Sequence, residues 1–456
     1  MVRIKNYIKI VSLILILTAY SCQNDDAPEV LNEGTDEFTN NWIYEQMQRY
    51  YYYNSSLPSR GDLKKLPQDY FLGLLHPQDR FSYAVNLNDA STYPQSLRNS
   101  FGFNISFIEH EGQVLGVVLY VLQDSPAQYA GLQRGQYINA INAVPVNHEN
   151  YNNLYEELSA SQNAQLTVMD YHENTGFSAP YVKNITKGTV LLQPVRGKII
   201  QEQNHTVGYI QIPHFDVGLS QALLNAFLNF KSQGVDEVVV DLRYNGGGDV
   251  SSATALAILL APNIQADQQF IRFTGNANGG VVNQSFTEAL KTNETQVSFE
   301  ALRSAHPSIG RVFILCSSHT ASASEIIINN LRPFMQVITI GSKTMGKDVA
   351  TFPIENDMAS TDEEKWILYP AIYKISNANG EGNYAAGITP SIDLEELGEL
   401  SIHPLGEPNE VLLSQSLAII TGTERINTGK NVMQTQKNIG SINDAEPIIM
   451  NNLSLR

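Results

Sequence analysis

Residues 317–330, SSHTASASEIIINN, place five hydroxyl side chains between an apolar run and a predicted helix. Ser322 stands at the predicted start of that helix, and Glu325 follows at the spacing of a capping box. The same position suits a nucleophile, because the orphan N–H groups and the dipole of a helix N-terminus can stabilise an oxyanion beside an exposed hydroxyl. The sequence permits both roles, and the second one requires a base.

Three residues near Ser322 could accept its proton. His319 lies upstream, but a rigid turn between strand and helix gives no assurance that its ring reaches the hydroxyl, and the alternative is a loop histidine near the surface. Lys343 and Lys347 lie downstream in GSKTMGKDVAT, after another predicted strand. A lysine serves as a base where burial lowers its pKa well below the free value of about 10.4.

A glycine run at residues 246–248 follows the predicted strand VDEVVVDLRYN. It lacks the lysine and hydroxyl of a P-loop and is not a dinucleotide fingerprint, which disfavours a phosphate site. Asp241 and Arg243 at the end of that strand are predicted to pair with each other and fix the loop rather than react. We find no metal cluster or cofactor motif in the sequence, so we expect neither a metal nor a cofactor.

Strands and helices alternate from about residue 185, which predicts parallel crossovers in one sheet. The predicted strands are TVGYIQIPHF, VDEVVVDLRYN, RVFILC and MQVITIG, and the helices are LSQALLNAFLNFKSQG, SSATALAILLA and SASEIIINNLRPF. Sites in such sheets lie at the carboxyl ends of the strands. The serine and glycine segments both follow such ends.

Two regions precede this one. Residues 38–53, FTNNWIYEQMQRYYYN, have the apolar spacing of an amphipathic helix, and a second short helix follows Pro58 and Gly61. Residues 97–172 predict the order strand, strand, short helix, strand, strand, with the helix starting at Ser125 and Pro126.

The segments TASASE, TMGKDV and VVVDLRYNGGG resemble those of the C-terminal processing peptidases, or tail-specific proteases, which are serine enzymes with a Ser-Lys dyad. The resemblance runs from about residue 38 to residue 422 and implies Ser322 as the nucleophile and Lys347 as its base. Many members carry a glutamine four residues after the lysine, where this chain has Thr351. Thr351 could orient the amine instead, so the departure weakens the triad but not the dyad.

The same resemblance implies an oxyanion hole formed by two backbone N–H groups. Its donors would be Gly247 and Ala323, with Gly246 or Gly248 replacing Gly247 if the loop register differs by one.

The segment DSPAQYAGLQRGQYINAINAVPV resembles a PDZ domain. In that fold the loop before the second strand presents N–H groups to a peptide's terminal carboxylate, and the peptide adds to the sheet edge. The resemblance implies that this loop consists of Ser100, Phe101, Gly102 and Phe103. The alternative is a glycine turn from which Phe101 or Phe103 packs inward.

The first residues, MVRIKNYIKIVSLILILTAYSC, combine a basic start, an apolar run at residues 8–17 and small residues before Cys22. They predict a signal peptide and are too short for a spanning helix. Cys22 resembles the acylated cysteine of bacterial lipoproteins, and the alternative is a plain signal with an incidental cysteine. The QNDD that follows resembles a surface-export tag or is a solvated tether. Cys316, at the end of RVFILC, is predicted to be buried.

The formal charge of −17 leaves no general cationic field for a phosphate backbone, so we expect no nucleic-acid partner. We predict a mixed α/β multidomain chain. Its parts are a signal peptide (1–21), a tether (22–37), a helical N-terminal region (38–95), a PDZ-like β-rich domain (96–175), an α/β crossover-type peptidase core (185–422) and a polar tail (423–456).

The predicted function is that of an exported serine endopeptidase of the cell envelope, lipid-anchored to a bacterial membrane, which binds proteins or peptides with free C-termini. One alternative is a catalytically silent, lipid-anchored peptide-binding protein, which Thr351 alone favours. The other is a hydrolase of short peptides or small esters.

Overall fold

The computed structural model describes residues 31–93, 101–291, 297–356, 365–423 and 437–440. The N-terminal region contains α1 (Asp36–Tyr50), α2 (Pro67–Leu74) and β1 (Tyr83–Asn86). Helix α1 begins where the Thr35 hydroxyl accepts the N–H of Phe38. Its buried face, which includes Trp42, Ile43 and Met47, belongs to the main hydrophobic core, so the predicted amphipathic helix is confirmed.

The second region is rich in β-structure. Its elements are β2 (Phe103–His110), β3 (Gln113–Val121), α3 (Pro126–Tyr129), β4 (Tyr137–Ile141), β5 (Val144–Pro145), α4 (Tyr151–Ala160), β6 (Asn163–Met169), β7 (Tyr171–His172), β8 (Gly176–Phe177) and β9 (Tyr181–Thr186). Strands β2, β3, β4, β6 and β9 form an antiparallel sheet in that order. The pairing of β9 with β6 extends the sheet past residue 175, the predicted end of this domain.

The two faces of this sheet have different partners. Residues Leu154, Tyr155 and Leu158 of α4 pack against one face. The other face, which includes Ile108 and Leu115, packs against Leu397 and neighbouring residues of the following region. Because the strands alternate their side chains between two apolar surfaces, the sheet is fixed in its register and held against the rest of the molecule.

The third region contains the remaining elements up to residue 423. They are β10 (Arg196–Glu202), β11 (His205–Gln211), α5 (Ser220–Ser232), β12 (Glu237–Asp241), α6 (Val250–Leu260), β13 (Gln269–Thr274), β14 (Val281–Ser285), α7 (Phe286–Leu290), α8 (Phe299–Ser304), β15 (Arg311–Cys316), α9 (Ala323–Leu331), β16 (Gln336–Gly341), β17 (Val349–Thr351), β18 (Ile354–Glu355), β19 (Trp366–Tyr369), β20 (Ala371–Asn377), β21 (Ile392–Asp393) and α10 (Val411–Ile420). The predicted strands and helices of this region are confirmed.

The central sheet of this region has the order β10-β11-β12-β15-β16-β21. All its pairs are parallel except β10 with β11. Helices α5, α6 and α9 cover one face, and α10 covers the other. Strands β12, β15 and β16 are neighbours and point the same way, so the loops that follow them meet at one edge of the sheet.

Two smaller sheets, the β7-β8 pair and the tail complete the fold. One sheet has the order β14-β13-β20-β17, and the other joins β1 to β19 and β18, which ties the N-terminal region to the core. In the tail, β22 (Lys437–Gly440) pairs with β2. No helix of the described residues is both long and apolar enough to cross a membrane.

Candidate active site

Ser322 occupies the turn between β15 and α9 in a strained conformation. Its backbone angles are φ 62° and ψ −120°, a region that side-chain-bearing residues rarely adopt and that costs of order 1–3 kcal/mol. The residue is fully buried, and its Oγ atom has no hydrogen-bond partner among the described residues. Ser322 and Glu325 have the arrangement of a capping box, but the hydroxyl itself forms no cap hydrogen bond, which leaves it available for chemistry.

Glu325 supplies the other half of the predicted capping box and reaches a second loop as well. Its Oε2 atom accepts the N–H of Ser322 at 3.0 Å and the N–H of Lys347 at 2.7 Å. Its Oε1 atom accepts the hydroxyl of Thr344 at 2.5 Å and the N–H of Gly346 at 2.8 Å. One carboxyl oxygen therefore joins the backbone of the serine turn to that of the lysine loop.

The environment of Glu325 also changes its acidity. Burial raises the pKa of this carboxyl to about 7, although the hydrogen bonds that it accepts act in the opposite direction. The carboxyl consequently titrates near neutral pH while holding both loops.

The two candidate lysines differ in their surroundings. Lys347 is 1% exposed, whereas Lys343 is exposed to solvent. The Nζ atom of Lys347 lies 5.7 Å from the ring centroid of Phe81, which belongs to the N-terminal region. The buried lysine, Lys347, is also the one whose backbone N–H donates to the same Glu325 oxygen as the N–H of Ser322.

The glycine loop lies against Ser322. A Cβ atom on Gly247 would lie 2.5 Å from the Cβ and 2.6 Å from the Oγ of Ser322, and the residue has φ 119°. Only glycine fits this approach and this backbone conformation. The structure therefore brings the predicted glycine and serine segments together.

The N–H of Gly247, however, is already engaged. It donates to the Oδ1 atom of Asn245 at 2.8 Å, and the Nδ2 atom of the same asparagine donates to the carbonyl of Ile212 at 2.9 Å. The predicted oxyanion donor thus has an internal acceptor in this conformation. The other predicted donor, Ala323, is the first residue of α9, where an N–H has no acceptor within the helix.

The serine and glycine loops are tied together by further hydrogen bonds. The hydroxyl of Thr320 donates to the carbonyl of Leu242 at 2.8 Å. The N–H of Ala321 and the hydroxyl of Ser324 both donate to the carbonyl of Asn245, at 3.2 Å and 3.0 Å. The two loops therefore form one hydrogen-bonded unit at the sheet edge.

A buried ion network supports the glycine loop from below. Arg243 donates to Asp241 at 3.0 Å, as predicted, and to both oxygens of Glu410 at 2.5 Å and 2.7 Å. Glu396 accepts from Arg243 at 2.9 Å and from Arg134 of the β-rich region at 2.6 Å. This network joins the β-rich region to the strand end that carries the glycines.

Glu396 illustrates how strong this network is. Burial alone raises the pKa of the carboxyl, but the guanidinium groups of Arg134 and Arg243 outweigh burial and lower the pKa to about 2. Its carboxylate is therefore ionised across the physiological range.

The two other reactive side chains near the serine turn have no direct link to its hydroxyl. The Nδ1 atom of His319 lies 3.4 Å from the hydroxyl of Ser317, and burial lowers the pKa of the ring to about 4. Cys316 is buried as predicted, and burial raises the pKa of its thiol to about 12. Neither residue donates to or accepts from Ser322 Oγ.

Comparisons with known proteins identify the family of the chain. The family model described as peptidase family S41 matches residues 206–394, and that of the peptidase S41 N-terminal domain matches residues 39–83. The chain belongs to peptidase family S41. The first match spans the serine, lysine and glycine segments of this S41 chain, and the second spans its first two helices.

Relatives of this S41 chain include carboxyl-terminal-processing proteases. The one from Picosynechococcus sp. (strain ATCC 27264 / PCC 7002 / PR-6) is 25% identical over 292 residues, covering 63% of this chain and 62% of the relative. CtpB of Bacillus subtilis (strain 168), a carboxy-terminal processing protease, is 22% identical over 346 residues, covering 75% and 66%. The matches thus span slightly less than two thirds of these relatives.

A solved structure shares the fold. A candidate S41 protease from Bacteroides fragilis NCTC 9343 is similar with a TM-score of 0.68 and 28% identity, over 84% of this chain and 98% of that one. The mixed α/β architecture is therefore that of an S41 structure.

The remaining predicted site residues of this S41 chain lie in other elements or outside the described residues. Thr351 is buried in β17. Phe101 and Phe103 are buried in the core of the β-rich region, with ring centroids 6.0 Å apart, as the alternative reading of that loop predicted. A Cβ on Gly102 would lie 2.2 Å from that of Ser125. Ser100 and Cys22 lie outside the described residues.

Sequence reasoning missed several contacts of this S41 site. Phe81 and Arg134 reach it from other regions, and no local pattern marks them. The only sequence feature that points to Asn245 is its position directly before the glycine run. Glu325 was recognised by its capping-box spacing, but its hydrogen bonds to the lysine loop were not predicted.

A cavity of about 530 Å³ adjoins the glycine loop. Gly246, His214 and Tyr244 line it from the core, Arg134 lines it from the β-rich region, and Leu191 lines it from the connection between the two. Its volume lies in the range of ligand-binding pockets.

Proposed function

We propose that this chain is a serine endopeptidase in which Ser322 is the nucleophile and Lys347 is the base. The observation that carries the proposal is the unpaired hydroxyl of Ser322, in a strained turn whose backbone shares the Glu325 carboxyl with that of a buried lysine. Strained residues that the surroundings hold in place are typical of active sites. Peptidase family membership supports the same reaction class.

The proposed reaction begins with transfer of the Ser322 hydroxyl proton to neutral Lys347. The Oγ atom then attacks the carbonyl carbon of a peptide bond, and the resulting oxyanion accepts hydrogen bonds from the N–H groups of Ala323 and Gly247. Lys347 returns the proton to the leaving amine as the C–N bond breaks. Water, deprotonated by the same lysine, hydrolyses the acyl-enzyme and restores the serine.

With Gly247 as the oxyanion donor, the proposed reaction requires a change in the glycine loop. Because the N–H of Gly247 donates to Asn245, it must turn away from that side chain before it can bind the oxyanion. The catalytically silent alternative is favoured by this hydrogen bond and by Thr351. A chain fixed in this conformation would bind peptides without cutting them.

The β-rich region is proposed to recognise the C-terminal tail of a protein substrate, in the manner of a PDZ domain. Its support is the antiparallel sheet, the loop at residues 101–103 before β2, and α4 lying across the same sheet. The names of the carboxyl-terminal-processing relatives support the same substrate class. Comparing turnover of a peptide that has a free carboxylate with turnover of its amidated twin tests this point, since an equal rate for both would contradict it.

We also propose that the chain is exported and anchored to a bacterial envelope membrane through an acylated Cys22. The sequence around Cys22 is the support. When cells that produce the unmodified chain are extracted with Triton X-114, the chain should partition into the detergent phase. A Cys22→Ser chain should stay in the aqueous phase, and equal partition of the two would contradict the anchor.

The experiment that tests the peptidase proposal compares the full chain with its Ser322→Ala variant on an unstructured protein substrate. Removal of a serine nucleophile typically costs at least about 10⁴-fold in rate. Cleavage by the unmodified chain alone supports Ser322 as the nucleophile. If neither chain cleaves while both bind a free-carboxylate peptide, the silent binding protein is the correct reading.

A further inference from the structure

The C-terminal tail returns to the β-rich region and adds a strand to its sheet. Strand β22 pairs antiparallel with β2, with Ile108 opposite Asn438 and Glu109 opposite Lys437. On its other side, β2 pairs with β3 along its whole length. A strand has two hydrogen-bonding edges, so the tail takes the edge of β2 that the rest of the sheet leaves open.

This is also the edge on which the proposed function places a substrate peptide. The loop at residues 101–103 leads directly into β2, and a peptide whose carboxylate lies at that loop would run antiparallel along β2. Strand β22 runs in that same direction, because Gly440 is opposite Phe107 and the chain proceeds from Glu109 towards Phe103. Tail and peptide therefore compete for the same backbone groups between Phe107 and Glu109.

Side-chain contacts place the tail near the serine loop as well. The hydroxyl of Ser106 donates to the Oδ1 atom of Asn438 at 3.1 Å. A small cavity of about 30 Å³ is lined by Asn438 and Ser106 on one side and by Ser317 and His319 on the other. The tail strand thus lies where the β-rich region meets the segment that leads to Ser322.

The pairing is of a kind that a ligand can displace. It involves four residues of the tail, and its register shifts between Phe107 and Ile108. Asn438 and Gly440 are residue types that are depleted in strands. A short, irregular strand of this composition binds weakly by itself and owes its occupancy to being tethered to the same chain.

We propose that Lys437–Gly440 act as an internal competitor that occupies the peptide-binding edge of β2 and must leave before a substrate tail binds. The inference rests on the proposed function for the identity of that edge. It makes the tail a regulator of substrate access, which weakens the binding of peptides that pair along the whole of β2 more than the binding of those that contact only the loop.

The test measures binding of a fluorescent ten-residue peptide with a free carboxylate to the full chain carrying Ser322→Ala, which prevents cleavage. The variant replaces both Lys437 and Asn438 with proline. Since successive N–H groups of a strand point to opposite sides, the pair of substitutions removes a ladder donor whichever residue faces β2. The matched control replaces Asn431 and Val432 with proline, in the same tail but before the strand.

We expect the Lys437→Pro/Asn438→Pro chain to bind the peptide about tenfold more tightly. The tethered tail competes with the peptide at a high effective concentration, and the substitutions remove this competition. The control chain should bind like the unmodified one. A synthetic peptide of residues 433–444 with both ends blocked should compete in the proline variant.

Equal affinity in the variant and the unmodified chain, with no competition by the synthetic tail, overturns the inference and leaves the proposed function standing. If no chain binds the free-carboxylate peptide while Ser322-dependent cleavage is still observed, this edge does not recognise substrate tails. That result overturns the inference as well.

Discussion

The serine turn and the glycine loop meet at Ser322, but they differ in the hydrogen bonding of the group that the proposed reaction uses. In the serine turn the surrounding backbone groups are bonded to Glu325, and the hydroxyl itself is unpaired. In the glycine loop the N–H of Gly247 is itself paired, with Asn245. The nucleophilic oxygen is therefore unpaired, although buried, while the predicted oxyanion donor is hydrogen-bonded to Asn245.

This difference indicates which half of the site has to move. The serine turn is tied to the lysine loop by a buried carboxyl and has little freedom. The glycine loop follows a strand end that is joined through Arg243 and Glu396 to Arg134 of the β-rich region. Because the glycine loop is also hydrogen-bonded to the serine turn, the conformational step of the proposed reaction is confined to the Gly247 peptide, whose N–H has to leave Asn245.

The largest effect is expected for the base. Lys347→Ala should reduce turnover of an unstructured protein by at least about 10³-fold, because general-base catalysis at an unactivated serine is lost. Lys343→Ala is the matched control, since that lysine is exposed in the same loop, and it should retain full activity. Equal turnover by both variants would remove Lys347 from the mechanism.

Gly247→Ala tests the fit of the glycine loop. Its methyl group would overlap Ser322, so the loop must shift, and a displacement of about 1 Å near reacting atoms can cost roughly 100-fold in kcat. Gly234→Ala is a suitable comparison, because that glycine also has a positive φ but has no atom within 4 Å of the added methyl. Both chains should be checked for folding by circular dichroism. Unaltered kcat in Gly247→Ala would contradict the close approach.

Glu325→Gln should weaken the rigid half of the site without removing a reacting group. The amide replaces one acceptor oxygen by a donor, so two of its four hydrogen bonds are lost, and we expect kcat to fall about tenfold with little change in KM. Glu288→Gln is the control, because Glu288 forms a capping box with Ser285 at the start of α7, away from the site. A fall in kcat of the same size in both variants would show a general loss of stability.

The smallest effects concern the pH dependence of stability, where the two halves should differ in sign. The lowered pKa of Glu396 contributes stability above about pH 4.5 that is lost as the pH falls towards about 2. The raised pKa of Glu325 contributes stability below about pH 4.5 that is lost as the pH rises through about 7.

Thermal denaturation against pH checks both expectations. Glu396→Gln should flatten the acid limb, and Glu325→Gln should flatten the limb between about pH 4.5 and 7. If Glu325→Gln instead flattened the acid limb, Glu325 would not be the carboxyl with the raised pKa.

Much of the core could be predicted because its signals are local. The buried strands that end at Asp241, Cys316 and Gly341 are continuous apolar runs, and their common direction places the following loops together. The spacing of Ser322 and Glu325 predicted the turn. Such patterns depend on a few neighbouring residues and can be recognised before the fold is known.

The rest depends on contacts between distant parts of the chain. Phe81 meets Lys347, and Arg134 meets Glu396, only because separate regions pack together. The hydrogen bond between Asn245 and Gly247 depends on the conformation of the loop, which the local sequence does not specify. The strand Lys437–Gly440 has no apolar alternation of its own and forms because β2 offers an open edge.

The most direct test of the account is covalent labelling of the full chain with a fluorophosphonate, followed by peptide mass spectrometry. We predict an adduct on Ser322 in the unmodified and Lys343→Ala chains and none in the Lys347→Ala chain. An adduct on another serine, or equal labelling of Ser322 with and without Lys347, would contradict the claim that Ser322 is a nucleophile activated by that lysine.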